Sequence, residues 1–391
     1  MYNIAILGFG VVGCGTAEVL TTNREIIKKR CGEDVVIKRI LDIRDFPDSP
    51  FAGIITHNAD EVFEDPEINC CVETIGGARI AYEFTKRALS KGISVVTSNK
   101  ELVSTKGPEL LKIAADNNCS YLFEAAVGGG IPIIRPLYRC LAANKIVKIC
   151  GIVNGTTNYI LSSMKDKDLS YSDALLQAKA NGYAEADPTA DVEGIDAQRK
   201  LSILSTIAMD GMYVSPEEID TDGITGVTLD DINFAAGIGC KIKLIACFKR
   251  FGDMCASYVK PHFVSVGKLI GNVDDVFNCV AVEGDFVGET LFYGQGAGSL
   301  PTASAVCGDI IELAACRTSE FVRPWSVPAN RVSIPYSDVE CDFIFWNISD
   351  IAVFDGCDCE KAGDAVIVRG ITESIAASLA SSANAKVMNY L

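Results

Sequence analysis

The sequence predicts an α/β protein, with a doubly wound parallel sheet covered by helices on both faces and a second, α+β domain after it. Three observations predict this. A short apolar run, Asn3-Ile4-Ala5-Ile6-Leu7, ends at a glycine and reads as a buried strand. Strand-like and helix-like stretches then alternate to about residue 125. At Gly128, Gly129 and Gly130 the alternation stops and a new pattern begins.

Residues 11–30 read as a helix entered through Gly10 and Gly13, with Lys28, Lys29 and Arg30 at the negative end of its dipole. Strands follow at 35–41, 70–74, 94–97 and 121–125, with a helix at about 80–90. Past the glycine run, 145–153 reads as a strand. Helices at 170–181 and 194–210 are stopped by Gly182 and Gly211. Strand-like runs return at 243–248, 255–266 and 276–292. A helix at 301–317 has Pro301 near its start. Beyond Pro328 come strand-like runs at 341–348 and 365–368, then a helix at 371–383. The expected organisation is residues 1–130 as one domain, with a helix at about 301–318 returning to it, residues 131–300 as a second, and residues 329–391 as a C-terminal extension of unknown role.

Composition excludes several classes of function. The formal net charge of −16 leaves no basic face to replace phosphate counterions, so no nucleic acid is expected as a partner. No apolar run reaches the ~18 residues needed to span a bilayer, and Met1 is followed by a strand rather than a basic leader, so no membrane partner and a cytoplasmic location are expected. Sixteen cysteines are scattered without paired CxxC spacing. Reduced, buried thiols are expected rather than a structural zinc site. Only His57 and His262 are present, so acid–base work falls to Lys, Asp, Glu or Tyr.

Gly8-Phe9-Gly10-Val11-Val12-Gly13 fits GxGxxG between a strand and a helix. The first glycine makes a tight turn, the second admits a pyrophosphate, and the third lets helix and strand pack closely. The amides at the helix start suit phosphates. The strand–turn–helix context reads as a Rossmann-type dinucleotide site, with Gly8, Phe9, Gly10, Val12 and Gly13 as its expected contacts; the alternative is a glycine turn with no ligand. After the second strand, Asp42 would hold a ribose hydroxyl of NAD, whereas Arg44 would favour the 2′-phosphate of NADP. The two point in opposite directions, and the preference leans slightly to NADP. Lys100, in Ser98-Asn99-Lys100-Glu101, follows the fourth strand, at the end where ligands bind.

Further along, Glu124-Ala125-Ala126-Val127-Gly128-Gly129-Gly130-Ile131-Pro132 can turn backbone carbonyls toward a hard cation, or act as a hinge. Gly155-Thr156-Thr157-Asn158 opens a helix whose amides and hydroxyls suit a carboxylate, or forms a simple cap. The stretch from Gly182 to Lys200 carries five carboxylates before its final Lys200; Asp196 and Lys200 are four apart and share one helix face. A lysine held beside a carboxylate can orient a substrate oxygen and exchange a proton with it. Gly294-Gln295-Gly296-Ala297-Gly298 precedes Pro301 and could close over a cofactor.

Taken in this order, these motifs resemble homoserine dehydrogenase over residues 1 to about 320. The segment Gly182-Tyr183-Ala184-Glu185-Ala186-Asp187-Pro188, leading to Asp196 and Lys200, is the most specific. The resemblance implies reversible NAD(P)H-dependent reduction of L-aspartate 4-semialdehyde to L-homoserine, on the route to threonine, isoleucine and methionine, by a homodimer. It implies Lys200 as proton donor and Asp196 and Glu185 as substrate-binding carboxylates. It places Lys100 near nicotinamide and substrate. Glu124, Val127, Gly129 and Ile131 would hold a monovalent cation, sodium or potassium, the last three through carbonyl oxygens. Gly182 and a glycine of 296–298 (Gly296 or Gly298) would touch the cofactor. Gly155 and Thr156 are expected at the substrate. Two alternatives stand beside this: another Rossmann dehydrogenase of a small aldehyde or amino acid, and a non-catalytic nucleotide sensor. Many members of the family carry an ACT regulatory domain that opens with a strand–Asp-x-Pro-Gly–helix pattern. Residues 329–391 contain no such start.

Overall fold

Strand β1 (Tyr2–Leu7) forms because five of its six residues are buried, with parallel strands on either side. The structure, a computed structural model, describes residues 1–317 and 322–391, so residue 318 of the expected returning helix lies outside the described residues. The chain divides into two units. In the first, β1 is joined by β2 (Val35–Leu41), β3 (Ile55–Thr56), β4 (Cys70–Glu73), β5 (Ser94–Thr97) and β6 (Tyr121–Leu122). All pair in parallel, in the order β3-β2-β1-β4-β5-β6. The order reverses between β1 and β4, which creates a crevice at their carboxyl ends.

The helices of this unit are α1 (Val11–Thr22), α2 (Arg24–Cys31), α3 (Asp60–Phe63), α4 (Arg79–Ser90), α5 (Lys100–Asp116) and α6 (Ile134–Tyr138), with Ser299–Cys316 alongside α1. The single helix expected over 11–30 breaks at Asn23, whose backbone leaves the helical region and both ends α1 and starts α2. Lys28, Lys29 and Arg30 do fall in the last turn of α2, before the left-handed Gly32. The strand expected over 121–125 stops after Leu122. The Glu124 amide goes to the Asp309 carboxylate instead of the sheet, and the chain turns into a 3-10 helix, Glu124–Ala126. Helix Ser299–Cys316 is long and apolar enough to cross a membrane. Here it buries Val306, Ile310 and Leu313 in a core shared with Ile4, Ile6 and Leu20. Each such side chain contributes roughly 1.5–3 kcal/mol of burial.

The second unit is built on a mixed sheet of ten strands. Its strands are β7 (Ile146–Ile152), β8 (Asp220–Thr221), β9 (Cys240–Phe251), β10 (Met254–Ser265), β11 (Phe277–Gly284), β12 (Gly288–Gln295), β13 (Cys341–Trp346), β14 (Cys359–Ala362), β15 (Ala365–Ile371) and β16 (Lys386–Tyr390). The order is β12-β11-β7-β9-β10-β16-β13-β15-β14, with β8 beside β10. Strands β9 and β10 form a hairpin with twelve paired residues on each side. The run expected as one strand over 276–292 is a hairpin, because Gly288 adopts φ +73° where the chain must reverse. Helices α7 (Gly155–Lys167), α8 (Tyr171–Ala180), α9 (Thr189–Val192), α10 (Ile195–Ala208) and α11 (Leu229–Gly237) follow; Ser299–Cys316 is α12, and α13 is Glu373–Ala383. A Thr228–Asp231 capping box starts α11.

From residue 341 on, the strands lie in the order β16-β13-β15-β14, fourth-first-third-second, with α13 between the last two in sequence. This is the order of a split βαβ unit, with its first crossover reduced to a 3-10 turn, Ile351–Phe354. Strand β16 pairs in parallel with β10 and thereby joins these strands to the larger sheet.

The turn after β1 fixes the first unit most tightly. Gly8 has φ +92°, and a Cβ on Gly13 would lie 2.1 Å from the Gly8 carbonyl oxygen. A Gly13→Ala variant should therefore lose on the order of 2–4 kcal/mol of stability. Urea unfolding, followed by circular dichroism, measures this; an unchanged midpoint contradicts the packing described.

Candidate active site

At the carboxyl end of β1, the Thr74 hydroxyl donates to the Gly8 carbonyl at 2.7 Å and braces the glycine turn from β4. Helix α1 begins at Gly10 with no side-chain cap, and a Cβ there would meet no atom within 4 Å. Open space lies in front of bare amides, so the turn fits a dinucleotide pyrophosphate. Phe9 is buried, and its ring packs edge-on to those of Phe46 and Phe51. Val12 lies in the first turn of α1.

The sequence sets Asp42 and Arg44 against each other as ribose readers, but the structure makes them one unit. Asp42 accepts the Phe9 amide at 2.6 Å, and both its oxygens accept from the Arg44 guanidinium at 3.0 Å. The Arg44 guanidinium is the largest influence on the Asp42 carboxyl, which it holds down to about 2. Arg44 is itself more than half exposed, over the ring of Phe46. His57 bridges the Asp42 carbonyl and the Asp45 carboxylate, as a satisfied loop histidine.

Glu73 ends β4 wholly buried. It accepts the Thr97 hydroxyl at 2.6 Å and the Ile75 amide at 2.7 Å. Thr97 in turn takes the Asn99 amide, and Asn99 caps α5 through the Leu102 amide. Lys100, the first residue of α5, is thus mounted on a buried carboxylate. Burial pushes the Glu73 carboxyl up to about 7. Sequence reasoning missed Glu73, because one acid at a strand end carries no signal until its burial is known.

The expected cation loop is buried from Glu124 to Gly129. Both Glu124 carboxylate oxygens are engaged by amides, those of Ile133, Ile134 and Arg135, at 2.7–3.0 Å. Gly128 and Gly129 adopt φ +76° and +52°. A Cβ on Gly129 would lie 2.4 Å from the Gly296 carbonyl oxygen, and the Gly130 amide donates to Gln295. The loops 128–131 and 294–298 are therefore packed on each other. Gly298 precedes α12 with φ +121°, and Ser299 donates to the Val11 carbonyl at the start of α1.

In the second unit, β7 runs into Val153, Asn154 and α7. Asn154 Oδ1 accepts the Thr157 amide at 2.8 Å and caps the helix. Its Nδ2 donates to Asp191 at 2.7 Å and to Asp196 at 2.8 Å. Lys200 Nζ donates to Asp196 and to the Val153 carbonyl, both at 2.7 Å. The Lys200 and Asp196 side chains are only 10% and 4% exposed, so this is not a solvated surface pair. Burial, then the charge of Asp196, raises the Asp191 carboxyl above its ordinary value. Asp191 and Asn154 were not singled out from the sequence; Asp191 was visible only as one of five acids.

Gly155 opens α7, and the Thr156 hydroxyl donates to the Tyr183 carbonyl at 2.7 Å. Gly182 follows α8 with φ +75°, and Glu185 is exposed on the loop after it. Asp196 and Lys200 are brought together; Glu185 is not in contact with them in any described hydrogen bond.

A dinucleotide turn together with a buried lysine–carboxylate pair defines an NAD(P)-dependent oxidoreductase. The pattern for the homoserine dehydrogenase NAD binding domain matches residues 8–124, and that for homoserine dehydrogenase matches residues 132–311. The homoserine dehydrogenase of Pseudomonas aeruginosa is 41% identical over 330 residues, 84% of this chain and 74% of the relative. That of Helicobacter pylori is 40% identical over 87% of this chain and 80% of its own. A crystal structure of a homoserine dehydrogenase from Thiobacillus denitrificans superposes with a TM-score of 0.89 at 34% identity, covering 100% of this chain and 98% of that one. A hyperthermophilic archaeal homoserine dehydrogenase in complex with NADPH gives 0.70 at 29% identity over 82% and 99%. The chain belongs to the homoserine dehydrogenase family.

Glu73 predicts a pH dependence. Its unfolded carboxyl titrates near the ordinary 4.5 and the folded one at about 7, so the folded state binds the extra proton between these values. The stability it contributes is full below 4.5 and is lost as pH rises to about 7. Relative to wild type, Glu73→Gln should gain up to roughly 3 kcal/mol across this window. Urea unfolding of both proteins at pH 4.5 and pH 8 (roughly the two ends of the window) measures the difference; parallel curves would refute the assignment.

Proposed function

We propose that this protein catalyses reversible NAD(P)H-dependent reduction of L-aspartate 4-semialdehyde to L-homoserine, a step toward threonine, isoleucine and methionine. The observation that carries the reading is the buried Lys200, fixed by the Val153 carbonyl and Asp196. When bound, the nicotinamide supplies or accepts the hydride. Gly8, Phe9, Gly10, Val12 and Gly13 hold the cofactor's phosphates, with Gly182, Gly296 and Gly298 as further contacts and Lys100 at its reactive end. Lys200 gives a proton to the aldehyde oxygen as negative charge builds there, and takes it back from the hydroxyl in the reverse direction. Asp196 aims Lys200. Asp196 and Glu185 receive the substrate's ammonium or hydroxyl, and the α7 amides of Gly155 and Thr156 receive its carboxylate. The exposed Arg44 guanidinium supports NADP over NAD.

We also read the loop Glu124–Ile131 as a site for a sodium or potassium ion. The left-handed Gly128 and Gly129 support it by turning successive carbonyls, including those of Val127, Gly129 and Ile131. With the Glu124 carboxylate engaged by three amides, Glu124 would contribute through its main-chain oxygen. The family likeness and the acidic composition support a cytoplasmic homodimer acting on a small molecule, with neither nucleic acid nor membrane as partner.

Homoserine-dependent reduction of NAD and NADP, measured side by side with and without added sodium or potassium, tests the activity. No reduction with either cofactor sinks it. Lys200→Ala should bind NADPH within a few-fold of wild type and lose roughly 10²–10⁴-fold in kcat. Retention of most of the kcat would remove Lys200 from the chemistry. Arg44→Ala should raise the KM for NADP about 10–100-fold while sparing NAD, because the freed Asp42 can accept ribose hydroxyls. An equal loss with both cofactors would contradict this.

A further inference from the structure

Strands β7 and β9 carry Cys150 and Cys247 directly opposite each other in an antiparallel pair. Both are buried, and their sulfurs are 3.3 Å apart. A disulfide needs an S–S distance of ~2.05 Å, and facing positions on neighbouring strands fall within the span it can bridge. Neither thiol has a part in the dehydrogenase chemistry above. Each opens on its own cavity. Cys150 lines one of about 330 Å³ with Lys148 and Lys268. Cys247 lines one of about 370 Å³ with Tyr258, His262 and Lys249. Either admits a molecule the size of a peroxide.

We propose that Cys150 and Cys247 are a redox-active dithiol that closes to a cross-strand disulfide on reaction with a hydroperoxide, Cys247 reacting first and Cys150 resolving the product. The roles follow from what faces each sulfur. The Cys150 and Cys247 sulfurs share a hydrogen bond in which either can donate; the ammonium groups of Lys249 and Lys148 lie near Cys247, and Tyr258, whose hydroxyl is 3.5 Å from the Cys341 sulfur, stands on the same cavity wall. The bond to Cys150, with the nearby hydroxyl and ammonium groups, holds the Cys247 thiol below the ordinary value despite burial. The bond to Cys247 and burial push the Cys150 thiol up. His262, on the same cavity wall, is held neutral by burial, down to about 4. The thiolate is the nucleophile in such chemistry.

The steps balance. The Cys247 thiolate attacks one peroxide oxygen; an S–O bond forms, the O–O bond breaks, and hydroxide leaves, giving sulfenic acid. The Cys150 sulfur then attacks the sulfenic sulfur; the S–S bond forms, the S–O bond breaks, and water departs with the Cys150 proton. Two thiols are oxidised by two electrons, and one hydroperoxide is reduced.

The test uses the reduced full chain, treated with hydrogen peroxide and digested under conditions that block thiol exchange. The expected result is a Cys150–Cys247 linked peptide in most molecules, removed by dithiothreitol. With dimedone present, Cys150→Ala should accumulate the adduct on Cys247, whereas Cys247→Ala should leave Cys150 unmodified. Should either variant fail to fold, the wild-type peptide map alone decides. Free Cys150 and Cys247 under peroxide that has oxidised the exposed Cys14 and Cys140 would overturn the proposal, as would capture of the adduct by Cys150.

Discussion

Asn154 holds its carboxamide in one orientation because Oδ1 accepts the Thr157 amide and starts α7. Its Nδ2 must then face Asp191 and Asp196, and Asp196 in turn fixes Lys200. A single side chain thus couples the start of one helix to the charge arrangement on another. Two carboxylates so near one another repel, and burial raises that cost. The amide and the ammonium between them make the arrangement tolerable. Because a helix cap is satisfied by the same group, the geometry is set during folding rather than by ligand binding.

The cofactor unit solves a similar problem with different parts. Gly8 and Gly13 approach more closely than any side chain would permit. Asp42 then reaches from β2 to the Phe9 amide and holds the turn from the other side. The acid that would read a ribose is occupied in building the phosphate turn, and Arg44 closes over it.

Much of the cofactor unit was legible in the sequence because its signals are local. Apolar Ile4–Leu7 and the glycines beside it can mean little else, and Asp196 and Lys200 declare their shared face by spacing alone. What was illegible depends on partners distant in the chain. Asp42 and Arg44 looked like rivals because their mutual bond cannot be read from two letters. Asn154 looked like any residue before a helix. Glu124 looked like a ligand carboxylate, and its engagement by amides of residues 133–135 appears only in three dimensions. The residues from 341 on were unmatched because the first crossover of their split βαβ order has shrunk to a 3-10 turn, so no helix signal remains to be read.

Gly129 and Gly296 lie far apart in the sequence, yet the backbone of one occupies the space where the other would carry a side chain. For an evolving lineage, Gly129 is held to glycine by a segment far along the chain. A substitution at Gly129 cannot be accommodated by moving its own loop, since the opposing surface is main chain and has no rotamer to change. Divergence in this region should therefore fall on the flanking residues, and any relative that varies at Gly129 should show a changed length or path in the segment 294–298.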